Sequence, residues 1–432
     1  MNKGMARPCV LLISSVDPHV GPAKVALDYY RAFVQCGIDI NFLTKYPVEG
    51  YPDIKYVYKK PRRLYNKLIG WFYTITGLKK TKPGHCFFYT YEFLPQVPVS
   101  HVLAAINRKY DLVLVLFWQG MLSFSTIKGI YNKLHCQIHF MGVDYSQMSG
   151  GCHFTCDCTH FQTGCGMCPG IYSQKQKDFT YYNIKYRKDI YNVVKPVVYG
   201  NLYMRQYFYR SSFLLRDARV EPSFDIYDLE EFYPMDKKQL RSRYRIPDYK
   251  KFIIFIGCQD LNDPRKGMNY LLNSLRIFWN RLKTDDRNAI ILIIAGRKVD
   301  KIEDQLYFDY RYVGYLPSSK MPEMYSMADV YLSPSVDDAG PSMVNQSLCC
   351  GTPVVAFEMG TALESIKDRN TGYCAKLRDV GDFAKGIEYI YNLSLSNRRK
   401  LQEECRAYAV NHFSYSARVN NILEIYNRYS II

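Results

Sequence analysis

Between Val330 and Phe357 the chain reads VYLSPSVDDAGPSMVNQSLCCGTPVVAF: a short apolar strand, a Pro-Ser stop, an acidic loop, an amphipathic helix, then Gly-Thr-Pro and a second apolar strand. A loop that leaves a strand and opens a helix presents backbone N–H groups without intrahelical partners, and the positive end of the helix dipole, to the mouth of the sheet. An anion belongs there, and a diphosphate-linked sugar is an anion of that kind. Upstream, Arg265-Lys266-Gly267 follows the apolar run FIIFIG at 252–257, where Lys266 would neutralise a diphosphate and stabilise negative charge growing on a departing one. Taken singly, Lys266 is surface charge and Gly340-Pro341-Ser342 only a good helix start; their spacing favours the chemical reading.

A second reactive group lies at 150–170, where Cys152, His153, Cys156, Cys158, His160, Cys165 and Cys168 place five cysteines and two histidines within 17 residues. Thiolates and imidazoles at this density suit a structural tetrahedral zinc, with the Cys-x2-Cys turn at 165/168 as a bidentate knuckle. The expected ligands are Cys156, Cys158, Cys165 and Cys168, with Cys152 or His153 as substitutes. The other reading is free buried thiols, because Cys-x3-Cys-x-Cys is not a standard finger spacing.

Elements that would position these groups follow from hydrophobic pattern. The chain has 432 residues, of which 48% are hydrophobic and 22% charged, so it is globular and long enough for two cores. CVLLISS at 9–15, IDINFLT at 38–44, LVLVLFW at 112–118, CQIHFMG at 136–142 and VVYGN at 197–201 read as strands, with helices over Ala23–Cys36 and Ile127–Leu134. The second half repeats the alternation: FIIFIG, a helix at Met268–Phe278, AIILIIAG at 289–296, YVGYL, a helix at Met321–Met327, VYLSPS, a helix at Met343–Cys350, and PVVAF. Alternating βα units predict parallel doubly wound sheets, two Rossmann-like domains facing each other across a cleft. The expected division is 1–220, with the cysteine-rich insert at 150–170, then 221–415. A last helix at 416–432, with Val419, Ile422, Leu423, Ile425 and Tyr426 at helical spacing, would pack back on the first domain.

Lysine and arginine number 57 against 40 acids, a net +17 that calls for an anionic partner. From Lys59 to Lys82 there are eight basic residues and no acid, interleaved with Leu64, Leu68, Ile69, Trp71, Phe72 and Ile75. This reads either as a segment for an anionic membrane surface or as a solvated basic loop around a partly buried helix. No run reaches the roughly 20 apolar residues of a membrane span. The stretch Cys9–Ile13 is too short for a signal-peptide core, so the chain is expected in the cytoplasm with reduced thiols. No nucleic-acid-binding module accompanies the charge.

The ordered motifs resemble the family 4 glycosyltransferases of GT-B fold, most specifically from Lys266 to Gly372: Arg265-Lys266-Gly267, Ala328-Asp329-Val330, Pro334-Ser335, then Asp338, and Cys350-Gly351-Thr352-Pro353-Val354-Val355-Ala356. The resemblance implies that Lys266 and Arg265 face the donor diphosphate and that the acid, Asp338 or Asp337 if the register slips by one, lies near the transferred sugar. Gln346 stands where the family's second acid contacts the ribose; an amide hydrogen-bonds hydroxyls as well. Cys258 follows Gly257 where many relatives have a second basic residue, leaving Arg265 or Arg297 to replace it. Gly340, Pro341, Ser342, Met343, Gly360 and Glu364 complete the implied donor site, with Gly21, the one glycine of the opening turn; His19 in that turn is a contact for acceptor or phosphate, or incidental. Glu364 is equally explained as a first-turn helix acid.

The cysteine-rich insert resembles one in a subset of bacterial capsular and exopolysaccharide transferases, where it follows His-Asp; here Val143 precedes Asp144, so Asp144 or His139 inherits any acceptor role. The resemblance therefore implies a retaining hexosyltransferase moving sugar from a nucleoside diphosphate sugar to a lipid-linked oligosaccharide. It would work at the inner face of the plasma membrane, with no catalytic metal and with zinc, if present, structural. Two rivals stand beside it: a nucleotide- or glycan-binding relative without turnover, for which Gln346, Cys258 and Val143 argue, and a zinc-stapled basic nucleic-acid-binding protein.

Overall fold

The computed structural model describes residues 7–15, 17, 21–75, 81–85, 92, 95–173, 175–211, 219–223, 225–297, 305–366 and 369–430. His19 lies outside them. Contacts divide the chain into two compact units, Met1–Phe224 with Arg418–Ile432, and Asp225–Ala417.

The first unit holds a parallel sheet in the order β3-β2-β1-β4-β5-β6-β7, with β1 Val10–Ile13, β2 Ile40–Thr44, β3 Lys55–Tyr56, β4 Leu112–Val115, β5 Gln137–Met141, β6 Val197–Gly200 and β7 Arg219–Pro222. β1, β4 and β6 are buried at every position. Unbroken Val/Leu/Ile runs of this kind form central strands because helices cover both faces of a parallel sheet, leaving no solvent side for alternation. The helix Phe124–Leu134 starts on a capping box between Ser123 and Thr126; that at Phe179–Val194 starts on Asp178, which accepts from the Thr180 and Tyr181 N–H groups.

The second unit repeats the plan in the order β10-β9-β8-β11-β12-β13, again all parallel, with β8 Phe252–Asp260, β9 Ile290–Arg297, β10 Asp309–Gly314, β11 Val330–Ser333, β12 Val354–Phe357 and β13 Gly372–Ala375. The strand order reverses between β8 and β11, the place where doubly wound sheets bind ligands beyond their strand ends. The fold class is thus two parallel-sheet α/β domains. The helix Tyr415–Ser430 buries Val419, Ile422, Leu423 and Ile425, and from Arg418 onward it belongs to the first unit. Gln137 Nε2 donates to Tyr426 O at 3.0 Å and Arg428 to both carboxylate oxygens of Glu221 at 2.9 Å.

Two charged staples hold the units. In the first, Arg187 is 1% exposed and pairs with buried Glu92 at 2.7 Å, while donating to the carbonyls of Ser146 and Ser149 at 2.7 and 2.5 Å. In the second, Asp329 lies just before β11, pairing with Lys237 at 3.1 Å and Arg241 at 2.7 Å and accepting from the Ile253 N–H at 2.7 Å. Burial alone would raise its carboxyl, but the two cations and the amide hold it below the ordinary 3.8.

Two outcomes follow. Arg187→Met, which strands the Glu92 charge, is expected to lower unfolding free energy by about 3–5 kcal/mol in urea melts. Because the Asp329 carboxyl is depressed on folding, its contribution is complete above the unfolded value of about 4 and is lost as pH falls through and below it. The urea midpoint of Asp329→Asn should therefore lie below that of the wild type at pH 7 and converge on it toward pH 3.

Candidate active site

Parallel register decides which loops meet. Val330 pairs with Ile254 and Leu332 with Ile256, and Tyr331 with Val354, so the loops after β8, β11 and β12 leave the same edge of the second sheet. After β8, Asp263 accepts from Arg265 N at 3.0 Å and opens a 3-10 turn over Pro264–Lys266. Gly267 ends it at φ +70°, and a Cβ there would stand 1.9 Å from Pro334 O; only glycine lets these two loops touch backbone to backbone. The contact is closed by Arg265 O, which accepts from Val336 N at 2.8 Å and Asp337 N at 3.4 Å.

That closure places Lys266 Nζ against Asp338 Oδ2 in an ion pair. Of the two candidate acids, Asp338 rather than Asp337 meets Lys266. Asp338 is 8% exposed. Burial pushes its carboxyl up, yet the Lys266 charge and hydrogen bond, the Gly340 N–H at 3.2 Å and the Arg265 charge bring it below its ordinary value. Arg265 itself is paired with Asp263 at 2.5 Å. The ionised Asp338 thus holds Lys266 at the sheet edge.

The helix Ser342–Cys349 begins directly beyond this pair, with Pro341 before it and no side-chain cap. Gly360, in the loop after β12, has φ +54°, and a Cβ on it would lie 2.8 Å from Pro341 Cδ and 3.3 Å from Asp338 O, so this turn packs onto the 338–341 loop. Met343 Cε would come within 2.9 Å of a Cβ at Gly257, which brings the end of β8 under the helix start. Gln346 is half-buried, and its Oε1 accepts from Tyr325 OH at 3.0 Å. The amide is thereby oriented by the core, with its NH2 group as the donor a ligand would meet.

A buried network that sequence reading missed fixes this helix. Asn345 Nδ2 donates to Asp225 Oδ2 and Thr361 Oγ1, each at 2.8 Å, and Asn345 Oδ1 accepts from Ser365 Oγ at 2.8 Å. Tyr227 OH donates to Asp225 at 2.9 Å and to Ser342 O at 3.1 Å. An asparagine on the apolar side of the VNQSL helix was the available signal.

The remaining expected residues are more dispersed. Arg297 ends β9 beside Asp260 and is exposed. Cys258, with its thiol pushed up to about 11 by burial against the lowering effect of Lys266, is an uncharged neighbour of the pair. Glu364 is buried in the short helix Ala362–Ser365. In the first unit Gly21 opens the 3-10 turn before the helix Val25–Gln35. Asp144 is fully buried, accepting from Ser146 N at 2.7 Å and Gln119 Nε2 at 3.0 Å. His139 sits in β5 between Tyr199 OH and Gln137 Oε1, each at 3.0 Å, and burial among Arg219 and Arg418 lowers it to about 3; it is a neutral core histidine.

The expected metal ligands are brought together only in part. Among the described residues no group of three or more His, Cys, Asp or Glu is placed to hold a metal ion. Cys156 is not with the others: its thiol donates toward Gly84 O at 3.4 Å, in a turn where Cys156 and Asp157 have left-handed φ of 48° and 66°. Cys152, one of the two expected substitutes, lines one small pocket with Cys158, Cys165 and Cys168. The Cys152 S–H is directed at the Cys168 sulfur, which raises Cys152 and lowers Cys168, while burial pushes Cys165 up to about 12.

Residues 236–412 match the family model for glycosyl transferases group 1. A protein of Klebsiella pneumoniae described as an uncharacterized 41.2 kDa protein in the cps region is 27% identical over 181 residues, covering 41% of this chain and 46% of that one. The chain spans less than half the length of the first curated relatives it matches. Both sheets fit the architecture of GT-B glycosyltransferase structures. Sucrose-phosphate synthase from Thermosynechococcus elongatus superposes with a TM-score of 0.64 at 15% identity, over 98% of this chain and 99% of that one. Anabaena HepE in complex with UDP-glucose gives 0.54 at 12% identity, over 98% and 100%. At such identities the likeness is one of fold.

A further outcome tests the geometry. Gly267→Ala must move Pro334 or leave the left-handed region, so it should lower the thermal midpoint and weaken nucleotide binding together, whereas Gly314→Ala, with the same sign of φ and nothing within 4 Å, should lower only the midpoint slightly.

Proposed function

We propose that this chain is a glycosyltransferase that takes a sugar from a nucleoside diphosphate sugar and delivers it, with retention, to a lipid-linked glycan intermediate of surface-polysaccharide assembly. The observation that carries the reading is Lys266 held against Asp338 at the strand-end edge, beside the uncapped start of the helix Ser342–Cys349. The family model over 236–412 supports the activity. The donor class is supported by a fold relative solved with UDP-glucose, and the polysaccharide setting by the name of the K. pneumoniae relative.

In this reading the donor diphosphate takes over the Lys266 ammonium that Asp338 holds in the free chain. Asp338, still fixed by Gly340 N–H, is released to accept hydrogen bonds from sugar hydroxyls. As the bond from the anomeric carbon to phosphate oxygen breaks, the electron pair stays with the nucleoside diphosphate, and Lys266 with the helix start stabilises that charge. The acceptor hydroxyl attacks from the same face and gives its proton to the leaving phosphate oxygen. No protein nucleophile is required. The Gln346 amide donates to a ribose hydroxyl oxygen while its carbonyl stays with Tyr325.

A neutral amide at Gln346, where the resemblance expects a second acid, favours the second reading, a nucleotide-binding relative without turnover. Purified protein presented with UDP-, GDP- and ADP-sugars and lipid-linked acceptors decides between them. Transfer from one donor is expected, reduced on the order of 10²–10³-fold in Lys266→Ala and partly recovered in Lys266→Arg. Nucleotide binding with no turnover on any acceptor would establish the second reading.

A further inference from the structure

The helix Arg63–Ile75 carries a largely exposed apolar face. Leu64 is 74% exposed, Leu68 55%, Trp71 66%, Phe72 43% and Ile75 63%. At about 100° per residue these five positions fall within a single arc roughly 100° wide. The other side is the anchored one: Tyr65 OH donates to Pro95 O at 3.1 Å, and Tyr65, Ile69 and Gly70 are partly buried. The helix is therefore held by one edge with its large apolar side chains in solvent, where a soluble surface rarely gathers so many.

The charge around this face names its occupant. Lys59, Lys60, Arg62 and Lys67 are exposed beside it, and the sequence has no acid anywhere from 59 to 82. A second copy docking through the same face would bring these cations against their own counterparts, and nucleic acid would leave the apolar arc without use. An anionic lipid surface satisfies both at once, taking the apolar arc into the acyl boundary and the cations among phosphate headgroups.

We propose that the helix Arg63–Ile75, flanked by Lys59, Lys60, Arg62 and Lys67, docks this protein in the plane of an anionic bilayer. Among the described residues no helix is long and apolar enough to cross one, and at 13 residues this one is about 20 Å long, the scale of an interfacial helix. The docking stands on the helix itself; its use, bringing the transfer site to a lipid-linked acceptor, rests on the transferase reading.

The test is sedimentation of the full chain with vesicles of phosphatidylcholine alone or with phosphatidylglycerol, at low and high salt, without any donor or acceptor. Binding to the anionic vesicles only, weakened by salt and accompanied by a blue shift of Trp71 fluorescence, is the expected result. Leu68→Glu with Trp71→Glu should abolish sedimentation while leaving hydrolysis of soluble donor unchanged. Replacing Lys59, Lys60 and Arg62 by Gln should weaken it by roughly fivefold per charge. All these side chains are exposed, so the melting curves of both variants should match the wild type.

Equal binding to neutral vesicles, or binding that survives both sets of changes, overturns the proposal. So does a concentration-dependent dimer, seen by light scattering, that the Leu68/Trp71 variant dissolves. Because hydrolysis of soluble donor is assayed separately, an inactive protein that binds vesicles and an active one that does not are distinguished.

Discussion

The second unit depends on one close approach, the carbonyl of Pro334 against the α-carbon of Gly267. Two neighbouring parallel strands end at the same edge, but their loops would diverge if any side chain stood between them. With glycine there, the 3-10 turn after β8 hydrogen-bonds the loop after β11, and an ammonium and a carboxylate that lie 72 positions apart in sequence become a pair. Everything chemical at this edge inherits its position from that contact.

The same sheet handles its acids in two different ways. Asp329, at the entrance to β11, is neutralised by two cations and an amide and has no room to do anything but hold the strand. Asp338, past the exit of β11, has one cation and one amide. Both carboxyls are kept ionised in spite of burial, yet only the second has a partner that an incoming anion could claim. A buried charge with every partner fixed is architecture; one whose partner can be exchanged stores the capacity to respond to a ligand.

The central strands were legible in the sequence because a buried parallel strand reads as an apolar run, as β1, β4, β12 and all but the last residues of β8, β9 and β11 do. Lys266, Asp338 and the helix that follows were legible from spacing. What escaped were interactions between distant residues of unremarkable type. Asp225, Asn345 and Thr361 carry no local pattern, and neither does Glu92 with Arg187, since nothing in either segment indicates that the other will be buried with it. The thiol cluster was legible as a segment but not in its pairings. Dense spacing picked out the segment, and its Cys152, Cys158, Cys165 and Cys168 line one pocket while Cys156 faces Gly84. Which of several closely spaced cysteines face one another depends on the path of the backbone between them, and spacing alone does not give that path.

The return of the last helix to the first sheet has a consequence for how the protein is made. The second unit is continuous, from Asp225 to Ala417, and every strand and helix of it has been synthesised before the segment from Arg418 to Ser430 appears. The first unit, although begun earlier, lacks until then the partners of Gln137, Glu221 and Tyr29. On the ribosome the order of completion is therefore the reverse of the order of synthesis. The half that starts the chain waits, with β5 and β7 partly uncovered, for the half that follows it to finish.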